Sequence, residues 1–217
     1  MKKDLVEMIF ILDRSGSMKG LETETINGYN SLLEKQRKAS GEALISTVLF
    51  DNQFEVLHNR LDIKEVKEIT TSEYYVRGTT ALLDAVGRSI RKIVNIYRRL
   101  PVDIKPEKTI FVITTDGMEN ASREFTYDDV KQMISYQKEK FNWEFIFLGA
   151  NIDAVKTASR FGITEERAAN YLSDRIGTSL NYEVISDAIK ELRADKRISS
   201  KWKQRILDDY INRKPNQ

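Results

Sequence analysis

Short apolar stretches, suited to buried strands, alternate along this chain with longer segments whose apolar residues recur at helical spacing. Residues 5–12 and 108–114 are of the first kind, and residues 21–38 and 81–100 are of the second. Such alternation is typical of βαβ units, in which helices connect parallel strands. It predicts a Rossmann-like, doubly wound α/β fold with helices on both faces of a mostly parallel central sheet.

The remaining elements follow the same alternation. A turn at Asp51 and Asn52 predicts one short antiparallel edge strand, which is a common addition to a mostly parallel sheet. The further strands are predicted at residues 43–50, 53–57, 143–148 and 168–173, and the further helices at residues 126–140, 153–161 and 179–193.

The composition suits one domain with a short extension. The chain has 217 residues, of which 41% are hydrophobic, and this is enough for a buried core without disulfide bonds. We predict a domain over residues 1–195 and a charged, helical C-terminal extension over residues 196–217. The sequence contains no cysteine, which excludes disulfides, thiolate metal sites and cysteine nucleophiles. The single histidine, His58, is interpreted as a surface or half-buried strand residue.

The charge and the hydropathy pattern favour neither nucleic acid nor a membrane as a partner. The net charge is +2, so no strong attraction to polyanions is expected. No stretch approaches the ~20 apolar residues of a membrane span, and the apolar run near the N-terminus is too short for a signal peptide. We therefore expect a soluble, cytoplasmic protein, of an oligomeric state that the sequence does not indicate.

Three short polar motifs border the same predicted edge of the sheet. They are DRSGS at residues 13–17, GTT at residues 78–80 and TDG at residues 115–117. The first and third motifs follow predicted strands, and the second precedes a predicted helix. Ligands of open α/β sheets bind beyond the carboxyl ends of the strands, so residues from all three motifs are expected to meet there.

The oxygen atoms of these motifs suit a hard divalent cation. Mg²⁺ takes octahedral oxygen ligands and keeps several waters, and Mn²⁺ and Ca²⁺ accept the same atoms. The D-x-S-x-S spacing places alternate residues on one side of an extended turn. The candidate ligands are Asp13, Ser15, Ser17, one of Thr79 and Thr80, and Asp116.

At these residues the chain resembles von Willebrand factor A domains, especially small stand-alone prokaryotic members. The segment ILDRSGSM at residues 11–18 looks like their metal-ion-dependent adhesion site, and ITTDG at residues 113–117 is similar to the last motif of that site. The family's threonine begins a run that residues 80–86 fit in register, whereas a run from Thr79 is one place out. The resemblance therefore selects Thr80, and it covers roughly residues 4–175.

The resemblance implies a role for each motif residue. Ser15, Ser17 and Thr80 would supply hydroxyl oxygens to Mg²⁺, while Asp13 and Asp116 would act directly or through water. One coordination position would stay open for an Asp or Glu of a partner protein. We therefore predict a divalent-cation-dependent protein-binding module. We do not predict an enzyme, because the two serines have no evident general base.

Other polar residues near the motifs have less specific interpretations. Glu119 and Asn120 follow the TDG turn and belong either to a solvated loop or to the rim of the metal site. Asp51 is interpreted as a turn residue. The predicted rim contacts are Arg14, Thr79, Glu119 and Asn120.

Two alternative functions remain. The first is a metal-dependent phosphatase or hydrolase that uses the same cation as a Lewis acid. The second is a nucleic-acid-associated factor that uses a basic helix face between Arg88 and Arg99, although a solvated outer helix face is the favoured interpretation. The basic residues of this face are Arg88, Arg91, Lys92, Arg98 and Arg99.

Overall fold

The computed structural model of the protein describes residues 1–194 and 197–213. Its strands are β1 (Lys2–Asp13), β2 (Glu42–Phe50), β3 (Phe54–Asp62), β4 (Pro106–Thr115), β5 (Glu144–Gly149) and β6 (Ala168–Asn170). They form one sheet in the order β3-β2-β1-β4-β5-β6. β3 is antiparallel to β2, and all the other neighbouring strands in this sheet are parallel.

Helices cover both faces of the sheet. One face carries α1 (Glu22–Arg37), α5 (Arg175–Arg193) and α6 (Gln204–Arg213), and the other carries α2 (Leu82–Arg99), α3 (Tyr127–Phe141) and α4 (Ala154–Arg160). Among the helices of the described residues, none is both long and apolar enough to cross a membrane. The predicted fold class is confirmed, including the antiparallel edge strand.

The central strand β1 shows why the apolar stretches are continuous. Successive side chains of a strand point to opposite faces of the sheet. Met8, Phe10 and Leu12 belong to the core under α1 and α5, whereas Ile9 and Ile11 belong to the core under α2 and α3. All five side chains are at most 1% exposed. A strand covered on both faces needs apolar residues at nearly all of its buried positions.

Some element boundaries differ from the predicted ones. β1 begins at Lys2, earlier than predicted, because that residue pairs with Pro106 of β4. β3 continues to Asp62, beyond the predicted end at residue 57. α5 begins at Arg175 because the preceding Asp174 caps the helix, accepting the N–H of Gly177 at 2.8 Å. These extensions depend on strand pairing and capping, not on apolar periodicity.

The C-terminal extension packs against the domain. The predicted boundary between residues 195 and 196 lies outside the described residues. Beyond it, Ile198, Trp202 and Ile206 are buried in the core under α1 and α5. The ammonium group of Lys203 donates to the carbonyl of Ala168 in β6 at 2.7 Å. Residues 197–213 thus complete the core beside β6, the edge strand on the side of the sheet away from β3.

α1 and α5 approach each other closely at Gly28. A Cβ built on Gly28 would lie 2.3 Å from Cδ2 of Tyr182, and that ring is only 5% exposed. We expect Gly28→Ala to lower the free energy of unfolding by about 1–3 kcal/mol, the usual effect of overpacking a core. Urea denaturation would measure the change, with the exposed Ser31→Ala of the same helix as the control. An unchanged free energy for Gly28→Ala would contradict this packing.

Candidate metal centre

The carboxyl ends of β1 and β4 form the switch point of the sheet. β2 lies on one side of β1 and β4 on the other, and Leu12 of β1 pairs with Thr114 of β4. Such a reversal of strand order leaves a crevice in which ligands of α/β proteins bind. Asp13 ends β1 and Asp116 follows β4, so both predicted carboxylates lie at this crevice.

Asp13 is oriented through both of its carboxylate oxygens. Oδ1 accepts the backbone N–H of Ser15 at 2.7 Å, and Oδ2 accepts the hydroxyl of Thr115 at 2.6 Å. A carboxylate oxygen has two acceptor positions, so each oxygen keeps one position for a cation or a water. Thr115, the first residue of the TDG motif but not one of the predicted ligands, therefore orients the first carboxylate.

Three hydroxyl groups from two loops form a cluster beside Asp13. Oγ of Ser15 accepts the hydroxyl of Thr80 at 2.9 Å and lies 3.1 Å from Oγ of Ser17. Ser15 and Thr80 are buried, whereas Ser17 is exposed, so the cluster opens to solvent on the Ser17 side. The neighbouring Thr79 is also exposed, and it is Thr80 whose hydroxyl joins the cluster.

Asp116 contributes the second carboxylate and an unsatisfied oxygen. Its Oδ2 accepts the hydroxyl of Ser173 at 3.2 Å, while its Oδ1 is buried without a hydrogen-bond partner among the described residues. A Cβ built on Gly117 would lie 2.8 Å from Oγ of Ser17 and 3.1 Å from Oγ1 of Thr80. Glycine thus keeps the space beside the hydroxyls open. A buried carboxylate oxygen without a partner fits a bound cation.

Burial makes the ionised form of both carboxylates unfavourable. It raises the pKa of Asp13 to about 6, although hydrogen bonds from Thr115 and Ser15 oppose the shift. Burial raises the pKa of Asp116 as well. A nearby positive charge favours the ionised form of a carboxyl group. The electrostatics of the crevice therefore fit a cation between these side chains.

The donor set consists of two carboxylates and three hydroxyls. Within residues 1–194 and 197–213, no group of three or more Asp, Glu or His side chains could hold a metal ion. The candidate centre therefore depends on its hydroxyl groups. An all-oxygen donor set suits hard cations such as Mg²⁺ and Ca²⁺, and also Mn²⁺.

Backbone hydrogen bonds join the first loop of the site to the second. The N–H of Gly16 donates to the carbonyl of Gly78 at 3.1 Å, and the N–H of Arg77 donates to the carbonyl of Arg14 at 2.9 Å. Gly78 has a φ of 67°, a left-handed conformation that favours glycine. A Cβ there would also meet Oδ1 of Asn52, an exposed side chain that would have to shift.

A buried aspartate joins the same two loops through side chains. Oδ2 of Asp51 accepts Nε–H of Arg14 at 3.0 Å and Nε–H of Arg77 at 2.7 Å. The backbone carbonyl of Asp51 accepts the N–H of Ala81, just after Thr80, at 2.9 Å. We call Asp51, Arg14 and Arg77 the loop clamp, because they connect the residues that precede Ser15 with those that precede Thr80.

The loop clamp corrects one interpretation of the sequence and adds a contact to another. Arg14 is not at the rim of the site, since its side chain is fully buried and pairs with Asp51 and, at 2.8 Å, with Glu55. Asp51 does form the expected turn, accepting the N–H of Gln53 at 2.7 Å, but it is also a buried partner of two arginines. The sequence offered one signal of this role, since Asp51 is a charged residue directly after the buried strand β2.

Glu119 and Asn120 hold the third loop against the start of α2. Oδ1 of Asn120 accepts the N–H of Thr80 at 2.9 Å, and the carbonyl of Thr80 accepts the N–H of Asn120 at 3.0 Å. Oε2 of Glu119 accepts the N–H of Leu83 at 2.9 Å, and so caps the first turn of α2. Asn120 and Thr79 also line a groove of about 720 Å³ beside the hydroxyl cluster.

The basic face of α2 is partly neutralised. Arg88 and Arg91 both pair with Glu124, at 2.6 and 2.5 Å. No acidic residue lies between Arg88 and Arg99, and Glu124 is outside α2, so the sequence of the helix alone did not show this negative charge. The pairing weakens the electrostatic argument for a nucleic-acid surface on α2.

The single histidine is buried away from the motif residues, in the edge strand β3. His58 is 8% exposed, and its Nδ1 lies 2.9 Å from Oγ1 of Thr47. Burial lowers the pKa of His58 below its ordinary value of 6.5. The unfolded chain therefore binds a proton more readily than the folded protein just below that pH.

The free energy of unfolding should therefore decrease as the pH falls below about 6.5, through the contribution of His58. We expect His58→Gln to lose less stability than the wild type between about pH 7 and pH 5.5. Urea titrations at several pH values would compare the two proteins, and the comparison cancels the opposite contribution of Asp13. Parallel pH profiles would contradict a histidine held neutral by burial.

No family model matches this sequence, and no curated protein matches it. Solved structures do share its fold. Proximal thread matrix protein 1 from the mussel byssus aligns over 86% of this chain with a TM-score of 0.57 and 15% identity. A structure of that protein with a zinc-occupied MIDAS motif aligns over 85% of this chain with a TM-score of 0.58 and 15% identity. A mutant of the PilB minor pilin from Streptococcus sanguinis aligns over 88% of this chain with a TM-score of 0.56 and 11% identity.

This chain spans only part of each of these proteins. It covers 46% of the thread matrix protein chain and 62% of the pilin chain. Identities this low establish the fold alone. The architecture is consistent with a von Willebrand factor A-like α/β fold.

Proposed function

We propose that this protein is a divalent-cation-dependent protein-binding module. The observation that carries the proposal is the convergence of two buried carboxylates and three hydroxyls at the switch point, with Oδ1 of Asp116 left without a partner among the described residues. The proposed cation is Mg²⁺, with Mn²⁺ and Ca²⁺ as alternatives. The residues that would hold it are Asp13, Ser15, Ser17, Thr80 and Asp116.

The open side of the centre would face the partner. Ser17 is the exposed member of the hydroxyl cluster, so a group from another protein can approach there. When bound, the cation would supply a positive centre that accepts an Asp or Glu carboxylate of the partner. Such a contact strengthens as water is excluded, and the residues around the opening would provide that exclusion.

The surroundings of the centre offer apolar and polar contacts for the partner. Met118, which follows the TDG turn, is 73% exposed. On the α2 side, the groove of about 720 Å³ is lined by Thr79, Asn120 and Arg123, among others. The predicted rim positions Thr79 and Asn120 are thus available to residues that flank the partner's acidic side chain. These loops would determine the specificity of binding.

One finding favours binding over catalysis, and a second agrees with occupancy of the centre by a cation. The hydroxyls of Ser15, Ser17 and Thr80 bond to one another, and no histidine or lysine is among their hydrogen-bond partners in the described parts of the chain. The carboxylates beside these hydroxyls, Asp13 and Asp116, would be occupied by the cation, and a nucleophile without a free general base is poorly activated. The zinc-occupied MIDAS motif of the mussel protein supports a metal ion in this fold, without indicating which ion this chain binds.

An affinity capture experiment tests the proposal. The wild-type protein and Asp13→Ala are immobilised and exposed to a lysate with Mg²⁺ or with EDTA. We expect a defined set of proteins to be captured by the wild type with Mg²⁺ and to be lost with EDTA and with the variant. Capture that neither EDTA nor the variant changes would contradict a cation-dependent module.

A further inference from the structure

Exposed apolar side chains concentrate at the amino ends of the strands, the end of the sheet opposite to the metal centre. Among the described residues, nine large apolar side chains are exposed, and five of them lie directly before β1, in the connection from α2 to β4 or in the last turns of α3. Their exposed fractions range from 46% to 70%. Exposed apolar residues that gather in one region mark interaction sites, whereas scattered ones do not. The five are Met1, Val102, Ile104, Tyr136 and Phe141.

A concave site lies within this region, between the last turns of α2 and α3. Its volume is about 250 Å³, and its walls include Val94 and Tyr97 of α2 together with Tyr136 and Phe141 of α3. Trp143, directly before β5, also lines it. We call this site the distal cleft.

The aromatic walls of the distal cleft are held in place from behind. Trp143 stacks on Phe111 with ring centroids 5.4 Å apart, and meets Tyr97 edge-on at 5.5 Å. The hydroxyl of Tyr97 lies 2.8 Å from Oγ1 of Thr109 and donates to Oε2 of Glu7 at 2.9 Å. A ligand would therefore enter a preformed site and would not have to order these rings.

Positive charge surrounds the distal cleft. Arg98, Lys105 and Lys140 line it, and their side chains form no ion pair with any residue that the structure describes. Glu107 is the one carboxylate of the lining, and it already accepts the backbone N–H of Asp4 at 2.9 Å. The cleft thus combines an apolar interior with a cationic rim that has spare charge.

We infer that the distal cleft binds a segment of a partner protein that inserts one large apolar side chain and carries Asp or Glu on either side of it. The carboxylates would pair with Arg98, Lys105 and Lys140. The volume is below the roughly 300–1,000 Å³ of sites for drug-sized ligands, but it suits a single Phe or Leu side chain. The exposed Val102 and Ile104 extend the apolar surface beyond the cleft, which favours a chain segment over a small molecule.

This inference does not depend on the metal centre. The metal centre lies at the carboxyl ends of the strands and the distal cleft at their amino ends. One partner can therefore be bound at each site without steric conflict. The protein would then link an acidic, cation-dependent partner at one edge with an acidic, amphipathic segment at the other. Chelation of the cation should leave binding at the distal cleft unchanged.

Synthetic peptides test the inference. The probe is acetyl-Glu-Asp-Phe-Glu-Asp-amide, and its controls replace Phe with Ala or the four acids with Lys. NMR titration follows the indole N–H of Trp143 in the full chain, with EDTA present. We expect the acidic Phe peptide to shift this resonance in a saturable way, and we expect each control to bind at least about tenfold more weakly, equivalent to 1.4 kcal/mol.

Charge reversal provides the matched variants. Arg98→Glu combined with Lys140→Glu changes only exposed residues at the rim and should weaken the acidic Phe peptide at least about tenfold. Lys131→Glu, exposed on the same helix α3 but nearer its start, should leave binding unchanged. No shift with the acidic Phe peptide, or equal shifts with the Lys peptide, would overturn the inference. Concentration-dependent self-association through the cleft, or binding to anionic phospholipid vesicles in place of peptide, would overturn it in favour of a second copy or a membrane surface.

Discussion

Replacing Asp13 with alanine is expected to abolish measurable binding of Mg²⁺. Asp13 is one of two carboxylates in the donor set, so the substitution removes half of the negative charge that offsets the cation. The expected loss exceeds the ~10–100-fold that follows from removing a residue that only supports a metal ligand. Isothermal titration calorimetry with Mg²⁺, Mn²⁺ and Ca²⁺ would measure it. The exposed Asp103→Ala, at the opposite edge of the sheet, is the control and should bind as the wild type does.

Thermal unfolding of Asp13→Asn separates the loss of binding from a loss of fold. Burial raises the pKa of Asp13 to about 6, so its ionised form destabilises the cation-free protein at neutral pH. We expect Asp13→Asn, without cation, to be at least as stable as the wild type. The wild type should gain ~2.7 kcal/mol at a cation concentration of about 100 times Kd, and the variant should gain nothing. An unchanged cation affinity in either Asp13 variant would refute the proposed site.

Apolar periodicity predicted the architecture because both faces of the sheet are covered. Residues 5–12 and 108–114 could be recognised as strands because most of their side chains, on both faces of the sheet, are apolar. The edge strand β3 was predicted too short because one side of it has no neighbouring strand, and because its residues, apart from the buried His58, are at least partly exposed. Arg60 in this strand has a φ of 53°, which marks an irregularity that no residue pattern indicated.

The sequence predicted which polar side chains meet at the switch point, but it did not predict the residues that position them. Within each motif the residues are consecutive or nearly so, and the switch point of the sheet determines where the three motifs meet. Asp51, Arg14 and Arg77 are separated in sequence, and their contacts depend on how β2 lies beside β1. Thr115 is the first residue of the TDG motif, yet only the register of β1 with β4 brings its hydroxyl to Asp13. Long-range side-chain pairing leaves no periodic signal in the sequence.

The loop clamp should therefore influence cation binding without touching the cation. Removing Asp51 altogether is a poor test, because the buried guanidinium of Arg14 would keep only Glu55 as an ion-pair partner, at a cost of up to about 3–5 kcal/mol. Arg77 gives a sharper test. Its side chain is 36% exposed, so its ion pair with Asp51 contributes little to global stability, although it connects the loop that carries Thr80 to the rest of the site.

Arg77→Gln is expected to weaken Mg²⁺ binding at least about tenfold while changing the free energy of unfolding by less than about 1 kcal/mol. Calorimetry and urea denaturation would measure the two quantities on the same samples. Arg167→Gln, which removes an ion pair with Glu144 at the opposite edge of the sheet, should leave the affinity unchanged. If Arg77→Gln binds Mg²⁺ like the wild type while Asp13→Ala does not, the clamp stabilises the fold alone. If neither variant affects binding, the cation lies elsewhere and the proposed centre is wrong.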